Sequence, residues 1–591
     1  MEDGARIDFT YKKDDNHTLF KRLEENTGFG ILKAQNYIPI YNSFFELNKT
    51  NANAITLNQR WKLHDILEQE TKNIFQGLLK DKSKKTERKV YLKFSPLLDP
   101  IKYLIGKYDI TDTNLLNLPT FETETSNPKS RDYNNSAYVD SFFTYLTSKL
   151  LHDHGFSHGL DFYGSFLAEK TDFCINIIDD IDYLNDSAFF RKNDKILYEL
   201  ENVEDAEMDN DTRNYKKKLN FLSDGVECDV EEIQLNELDY VMVDGMKEVE
   251  PELINLEISG LEKLQTKSTN SSCSSRSSNT SNEWETDEDE DASADEVADK
   301  VAGGASADEV ADKVANEVLA NEVAADEAAA ADEVADESGS DDDEEILIAK
   351  IKKFPVQVIA LEHCETTLDD LMLDEKITTD DWDSIILQIL FSLITYQNAF
   401  GLTHNDLHTN NVMYTETDKK FLYYKINHVY YKVPTFGKLF KIIDYGRAIY
   451  KFRGKLLCSD SYHPEGDAAT QYNCEPYFNN EKPRLDPNFS FDLCRLGCAL
   501  YDYLIDEPKS KIVQIMLDWV NDDKGRNILY KKNGDERYPD FKLYKMIART
   551  VNKHVPATVL SNPYFDKFII SKKDVKKNTV VMDLDVIPCY M

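Results

Sequence analysis

Residues 283–345 set the strongest limit on what this chain can fold into. Their apolar side chains are almost all Ala and Val, and they hold 26 acidic residues against two lysines. The segment Ser293–Ala302 (SADEVADKVA) recurs at Ser306–Ala315. Such a tract buries too little apolar surface to offset the chain entropy lost on ordering, so disorder is the expectation. Its alanines favour transient helix over 294–337. A Ser/Asn/Thr run, 268–282, precedes it, and 171–265 is acidic with short apolar pieces such as Ile175–Ile178 and Tyr240–Val243. Any large core must therefore be assembled from two separated stretches. Loop-closure cost grows only logarithmically with length, so one domain can carry such an insert.

The tract also carries most of the net charge of -39 in 591 residues. So acidic a chain lacks the general basic face that nucleic-acid binding requires, and no direct nucleic-acid partner is expected. Its acidic insert is expected to attract basic partners. Nine scattered cysteines, with no C-x-x-C pair, point to free thiols in a reducing compartment. The acidic start Met1–Gly4 is no signal peptide, and no apolar run is long enough to span a bilayer. A soluble, cytoplasmic protein is expected, without a membrane partner.

Periodicity organises the flanks. The aromatic and β-branched residues 36–47 read as a strand, and Leu63, Ile66, Leu67, Ile74 and Leu78 suggest a helix over 57–80. A basic loop, 82–89, leads into a strand Val90–Phe94. Residues 136–151 place Val139, Phe142, Phe143, Leu146 and Leu150 on one helix face, with Asp140 their only carboxylate. Strand signals follow at 162–166 and 354–364. A long amphipathic helix, 382–400, stops at Gly401, a suitable C-cap. Beyond it come a hairpin turning near Asn427, a helix over 490–504, and helices near 509–520 and 541–551. Residues 571–591 read as a tail.

Two polar motifs stand among these elements, His404-Asn-Asp-Leu-His-Thr-Asn-Asn411 and Ile442-Ile-Asp-Tyr-Gly446. They resemble the catalytic loop H-x-D-L-x-x-x-N and the D-F-G of eukaryotic-type protein kinases. The resemblance runs over 36–167 and 354–565 and implies an α+β, two-lobed protein-kinase-like fold. Its parts would be a first small-lobe portion (1–170), the acidic insert (171–345), a last small-lobe strand and hinge (346–364), a large lobe (365–570) and a tail (571–591). By this resemblance Asp406 is the catalytic base, and Asn411 and Asp444 are magnesium ligands. Lys93 in Val90–Phe94 would neutralise ATP phosphates, with Asp140 as its partner. Backbone groups around Glu362 and Cys364 would meet the adenine edge, with Leu361 behind it. Asp492 would hold the backbone of the loop that His404 opens. ATP and Mg²⁺ are the implied cofactors, and a protein substrate the implied partner.

Several residues depart from the pattern. No G-x-G-x-x-G precedes Lys93, and Gly28-Phe29-Gly30 reads as a simple turn. Asn411 and Asp444 lie 33 positions apart, which an enlarged hairpin between them accommodates. The segment 447–478, where a protein substrate would dock, ends in Cys474-Glu-Pro476 rather than A-P-E. Asn405 replaces the Arg that receives an activation-loop phosphate, so no such switch is expected. His408 replaces a Lys, giving a form similar to haspin-like kinases and to the aminoglycoside and choline phosphotransferases. The composition also looks like that of kinase-like proteins of large cytoplasmic DNA viruses. A Ser/Thr protein kinase is the leading expectation. A pseudokinase scaffold, suggested by the missing glycines, and a small-molecule phosphotransferase, suggested by His408 and the missing A-P-E, are the alternatives.

Overall fold

The computed structural model describes residues 6–203 and 346–591, apart from positions 83, 123, 375, 506 and 508. The Ser/Asn/Thr run, the repeat tract and most of the acidic stretch lie outside the described residues. What is described is a mixed α+β fold around a curled antiparallel sheet.

Its first half opens with β1 (Tyr11–Lys13), α1 (His17–Glu25) and β2 (Ile31–Gln35). The turn Thr27–Phe29 before β2 ends at Gly30, whose φ of 59° a residue with a Cβ adopts only with strain. Residues 36–47 are not a strand. Pro39 starts a 3₁₀ turn, Pro39–Ser43, which packs Ile38, Ile40 and Tyr41 inward. Proline brings no N–H to a ladder, and its fixed φ suits such a first turn. After β3 (Ile55–Leu57), which pairs with β1, come β4 (Lys62–Gln69) and β5 (Ile74–Asp81), where a helix was expected. The reason lies in the register, which slips between Leu63 and Asp65 and again between Ile66 and Glu68. A bulge lets Leu63 and Ile66, three positions apart, face the same side, so the strand imitates helical spacing. Gly77 is required where β5 meets its neighbour, since a Cβ there would come 2.6 Å from Val90.

Next is β6 (Lys84–Pro96), which absorbs most of the expected basic loop. Two short helices, α2 (Pro100–Leu104) and α3 (Pro128–Arg131), lead to α4 (Ser136–His154). The side chain of Asn135 caps the start of α4 and Gly155, with φ of 68°, ends it. Every side chain from Ala137 to Leu150 is buried, although the spacing indicates only one apolar face. The helix is covered all round, and its polar residues bond internally, as in Thr147 Oγ1 to Thr144 O at 2.8 Å. Then follow β7 (Phe162–Asn176), α5 (Ile181–Asn185), α6 (Ala188–Asn193) and β8 (Tyr198–Val203). Residues 171–203, counted by composition with the insert, are thus part of the fold. Phe173, Ile177, Ile181, Leu184, Phe190 and Tyr198 supply enough apolar surface to hold them. Beyond the insert β9 (Ile346–Glu362) enters the middle of the sheet, between β6 and β7, and β8 pairs with its first half. The sheet order is β2-β7-β9-β6-β5-β4.

The second half begins with α7 (Leu368–Asp374) and α8 (Thr379–Phe400). Thr378 and Asp381 cap the start of α8 reciprocally and Gly401 closes it with φ of 62°. Four strands follow: β10 (Val412–Glu416), β11 (Phe421–Ile426), β12 (Val429–Pro434) and β13 (Lys438–Ile442). Asn427 and His428, both at positive φ, make the two-residue turn between β11 and β12. The pair β14 (Ile449–Phe452) and β15 (Lys455–Cys458) comes next, then α9 (Phe491–Ile505), α10 (Lys511–Asp518), α11 (Phe541–Thr550) and α12 (Pro556–Leu560). The expected tail is integrated rather than free. β16 (Ile569–Ile570) pairs with β12 and β17 (Met582–Asp583) with β11. Tyr590 is buried, stacking on Phe400 at 5.5 Å and donating its backbone N–H to Ala399. Among the described residues no helix is long and apolar enough to cross a membrane.

The main core joins the two halves, with Phe143 of α4 ringed by Tyr396, Phe400, Tyr445 and Tyr450 at 4.5–5.6 Å. Beside it lies His158, fully buried, its Nδ1 donating to Phe440 O and its Nε2 accepting from the Tyr424 hydroxyl, each at 2.7 Å. Burial pushes its pKa down from 6.5 to about 4. Below pH 6.5 the unfolded chain therefore binds a proton that the folded one refuses, and stability falls as the pH drops towards 4. Replacing His158 by Gln should remove about one proton from the uptake on unfolding, read from denaturant midpoints across that pH range.

Candidate active site

The loop after α8 is organised by one buried carboxylate. Asp492, in the first turn of α9, accepts the His404 N–H at 3.0 Å and the Asn405 N–H at 2.8 Å. Burial raises its pKa, and His404 and the two N–H groups counter that only in part. Those bonds hold Asn405 at a φ of 66°, a left-handed conformation that Asn tolerates better than most residues. The Asn405 amide donates to Thr403 O and Arg447 O, and its oxygen accepts from the Tyr472 hydroxyl at 2.7 Å. Asn405 is thus a packed node of the loop.

His404 joins the two motifs. Its Nε2 donates to Ile443 O at 2.9 Å, which leaves Nδ1 to accept the Asp406 N–H at 3.3 Å. Pairing of β10 with β13 brings the ends of the motifs together, and Ile443 N–H donates to Asn411 O at 3.0 Å. The Asn411 amide donates to Asp406 O at 2.8 Å and to His408 Nε2 at 3.1 Å. Both N–H bonds are used, so its Oδ1 is the remaining acceptor. Asp444 sits at a φ of 59°, and its partly exposed carboxylate accepts the Gly446 N–H and an ion pair from Lys93. Left-handed non-glycine residues at both motifs are strain of the kind that concentrates at functional sites.

Lys93 is the junction between the halves. From β6 its ammonium reaches Asp140 Oδ2 at 2.8 Å and Asp444 Oδ1 at 3.0 Å. Burial alone would favour the neutral amine, but the two carboxylates outweigh it and the net pKa shift is upward. Asp140 Oδ1 in turn accepts the Tyr445 N–H at 2.8 Å. Asp140 reaches both partners because α4 lies close against the sheet and the second motif. The N-terminus of α4 is tied to segment 447–478 as well. Buried Asp460 accepts the Ser136 N–H at 3.0 Å and pairs with Lys129, while its own N–H donates to Asn134 O.

Asp406 is surrounded by groups that the motifs do not reveal. The Tyr544 hydroxyl of α11 donates to its Oδ1 at 2.8 Å, and Arg447 Nε stands 3.9 Å from Oδ2. Burial favours the protonated acid, but Arg447, His408, Arg495 and Tyr544 together hold it well below the usual carboxylate range. His408 is pushed down to about 4 by burial, so the imidazole is neutral at pH 7. Fixed positive charge beside Asp406 comes instead from Arg447, which also pairs with Asp467. For Tyr544 the sequence marks only the helix expected near 541–551. Nothing in the sequence singled out Arg447, Arg495 or Asp467.

The other expected site residues fall at the end of the central strand β9 and just beyond it. Glu362 ends β9, but its carboxylate is committed to Lys441, 2.9 Å away, and to the Asp161 N–H. Its side chain is therefore unavailable, leaving the backbone of this segment. Cys364 is buried, its thiol pKa raised by burial, and its N–H has no partner among the described residues. The turn between β4 and β5, residues 70–73, lies next to the Lys93 strand, with the Leu92 N–H donating to Asn73 O at 2.8 Å. It has no glycine.

No family model matches the chain, and no curated protein matches it.

Asp492 should be replaceable only at a cost. Asp492→Ala leaves two buried N–H groups unpaired at about 1–3 kcal/mol each. Asp492→Asn keeps one acceptor and should lose about half as much, measured as the shift in guanidinium midpoint.

Proposed function

We propose that the chain is a Ser/Thr protein kinase of divergent, kinase-like two-lobed fold, transferring the γ-phosphoryl of ATP to protein hydroxyls. The observation that carries this reading is the three-way contact of Lys93 with Asp140 and Asp444, next to a loop that holds Asp406 and Asn411. A lysine on a strand, an acid on the following helix, a base and two oxygen donors are the parts that phosphoryl transfer in kinases requires. Lys93 remains charged, so it can neutralise nucleotide phosphates in exchange for Asp444. The backbone after β9, with the Cys364 N–H unpaired among the described residues, suits a flat heterocycle edge.

Asn411 Oδ1 and the Asp444 carboxylate are oxygen donors of the type Mg²⁺ takes, which commonly binds through one or two carboxylates plus substrate phosphates. Among the described residues no group of three or more His, Cys, Asp or Glu side chains is arranged to hold a metal ion. Bound there, the ion would neutralise charge on those phosphates. Asp406 stays ionised at any ordinary pH and so can accept the acceptor hydroxyl's proton. Asp492 and His404 keep its loop in place, which is catalysis by positioning.

A nucleotide-binding scaffold is the second reading, favoured by the glycine-free turn at 70–73, where backbone approach to phosphates is hindered. Labelled ATP separates the two. Wild type should phosphorylate a protein acceptor or its own Ser/Thr-rich run, and Asp406→Ala should lower the rate about 10²–10⁴-fold. Labelling that survives Asp406→Ala counts against the kinase. ATP with Mg²⁺ should also raise the melting temperature. Lys93→Met and Asp444→Asn should both diminish that rise.

A further inference from the structure

One residue far outside both motifs touches Asp406 directly. Tyr544 lies 138 residues beyond it, on α11, with its ring fully buried against Phe541 and Phe491. Its hydroxyl makes two hydrogen bonds, one with Asp406 Oδ1 and one with Arg495 Nε, each 2.8 Å long. Chemistry fixes their direction. A guanidinium only donates, so Arg495 occupies a lone pair of the phenol and the single phenolic proton is left for Asp406. Guanidinium groups of Arg495 and Arg447 lie 5.2 and 5.6 Å from the centre of the same ring, which restrains it further.

The two oxygens of Asp406 are consequently unequal. Oδ1 is engaged, whereas Oδ2 has Arg447 Nε at 3.9 Å, beyond hydrogen-bond distance. We infer that Tyr544, held by Arg495, is a positioning residue that pins Asp406 Oδ1 and presents Oδ2 to the acceptor hydroxyl. The inference rests on the phosphoryl-transfer reading. In that step the acceptor O–H bond breaks and its proton passes to Oδ2. The acceptor oxygen forms the new P–O bond, and the nucleoside diphosphate leaves with the electron pair of the old one.

The groups that face Asp406 are Tyr544 from α11, Arg495 from α9, Arg447 with its partner Asp467 from segment 447–478, and His404 and His408 from its own loop. Removing the phenolic proton takes away the bond that fixes Oδ1 and leaves the carboxylate free to turn about its Cβ–Cγ bond.

Tyr544→Phe keeps the ring and its packing and deletes that proton. The expected result is a kcat lower by about tenfold or more, the scale of a lost hydrogen bond to a charged group, with the KM for ATP and the ATP-dependent rise in melting temperature unchanged. Arg495→Lys, which keeps a donor, should retain more activity than Arg495→Met. Wild-type kcat in Tyr544→Phe overturns the inference alone. So does a loss of kcat that only follows a lowered melting temperature and is equal in the two Arg495 variants. A wild type that neither transfers phosphoryl nor responds to ATP overturns the kinase reading, and this inference with it.

Discussion

A single buried carboxylate, Asp492, fixes the conformation on which the whole site depends. It takes two consecutive backbone N–H groups from a loop that could not otherwise satisfy them away from water. With those two bonds made, Asn405 is held left-handed, His404 points at the second motif, and the Asp406 N–H is aimed at His404 Nδ1. The network then closes on itself, since the two motifs are also joined through β10 and β13. Such a fully connected polar cluster is rigid, and loss of any one partner leaves a buried group unsatisfied.

A second constraint sets the distance between the sheet and this loop. Lys93 holds one carboxylate from α4 and one from the second motif, and Tyr445 ties the same α4 carboxylate to the backbone. Asp460 fastens the first turn of α4 to segment 447–478. Both ends of this arrangement are made by carboxylates of the chain itself. That agrees with Asn405 being a packed structural residue, its side chain already used by Thr403, Arg447 and Tyr472.

Elements with a strong local signal were legible in the sequence. The capped helix ending at Gly401 and the helix carrying Asp140 overlap the expected positions, the strand read at 354–364 is the second part of a strand that begins at Ile346, and the spacing of the two motifs implied the enlarged hairpin of β11 and β12. Failures arose where tertiary structure alters local periodicity. Register slips in β4 made a bulged strand look helical, and Pro39 made an aromatic run turn. The supposed tail was misjudged because its pairing with β11 and β12 is long-range and leaves no local mark. Within the site, the motif positions were readable because their residue types answer to chemistry. Tyr544, Arg495 and Arg447 were not, because their meeting with Asp406 depends on the packing of α9 and α11, which no short pattern encodes.

The place of β9 in the sheet bears on how the protein is made. It is the middle strand, pairing with β6, β7 and β8, yet residues 204–345 separate it from the last of them. Until β9 leaves the ribosome, Val90–Pro96 and Phe162–Asn176 present open edges with nothing between them, and the Lys93 strand has no neighbour on that side. Non-local pairing of this kind is slow, and exposed edges invite association with other chains. Sheet closure and site assembly would then coincide late in synthesis, so that truncated chains carry the lysine but not the arrangement that gives it a purpose.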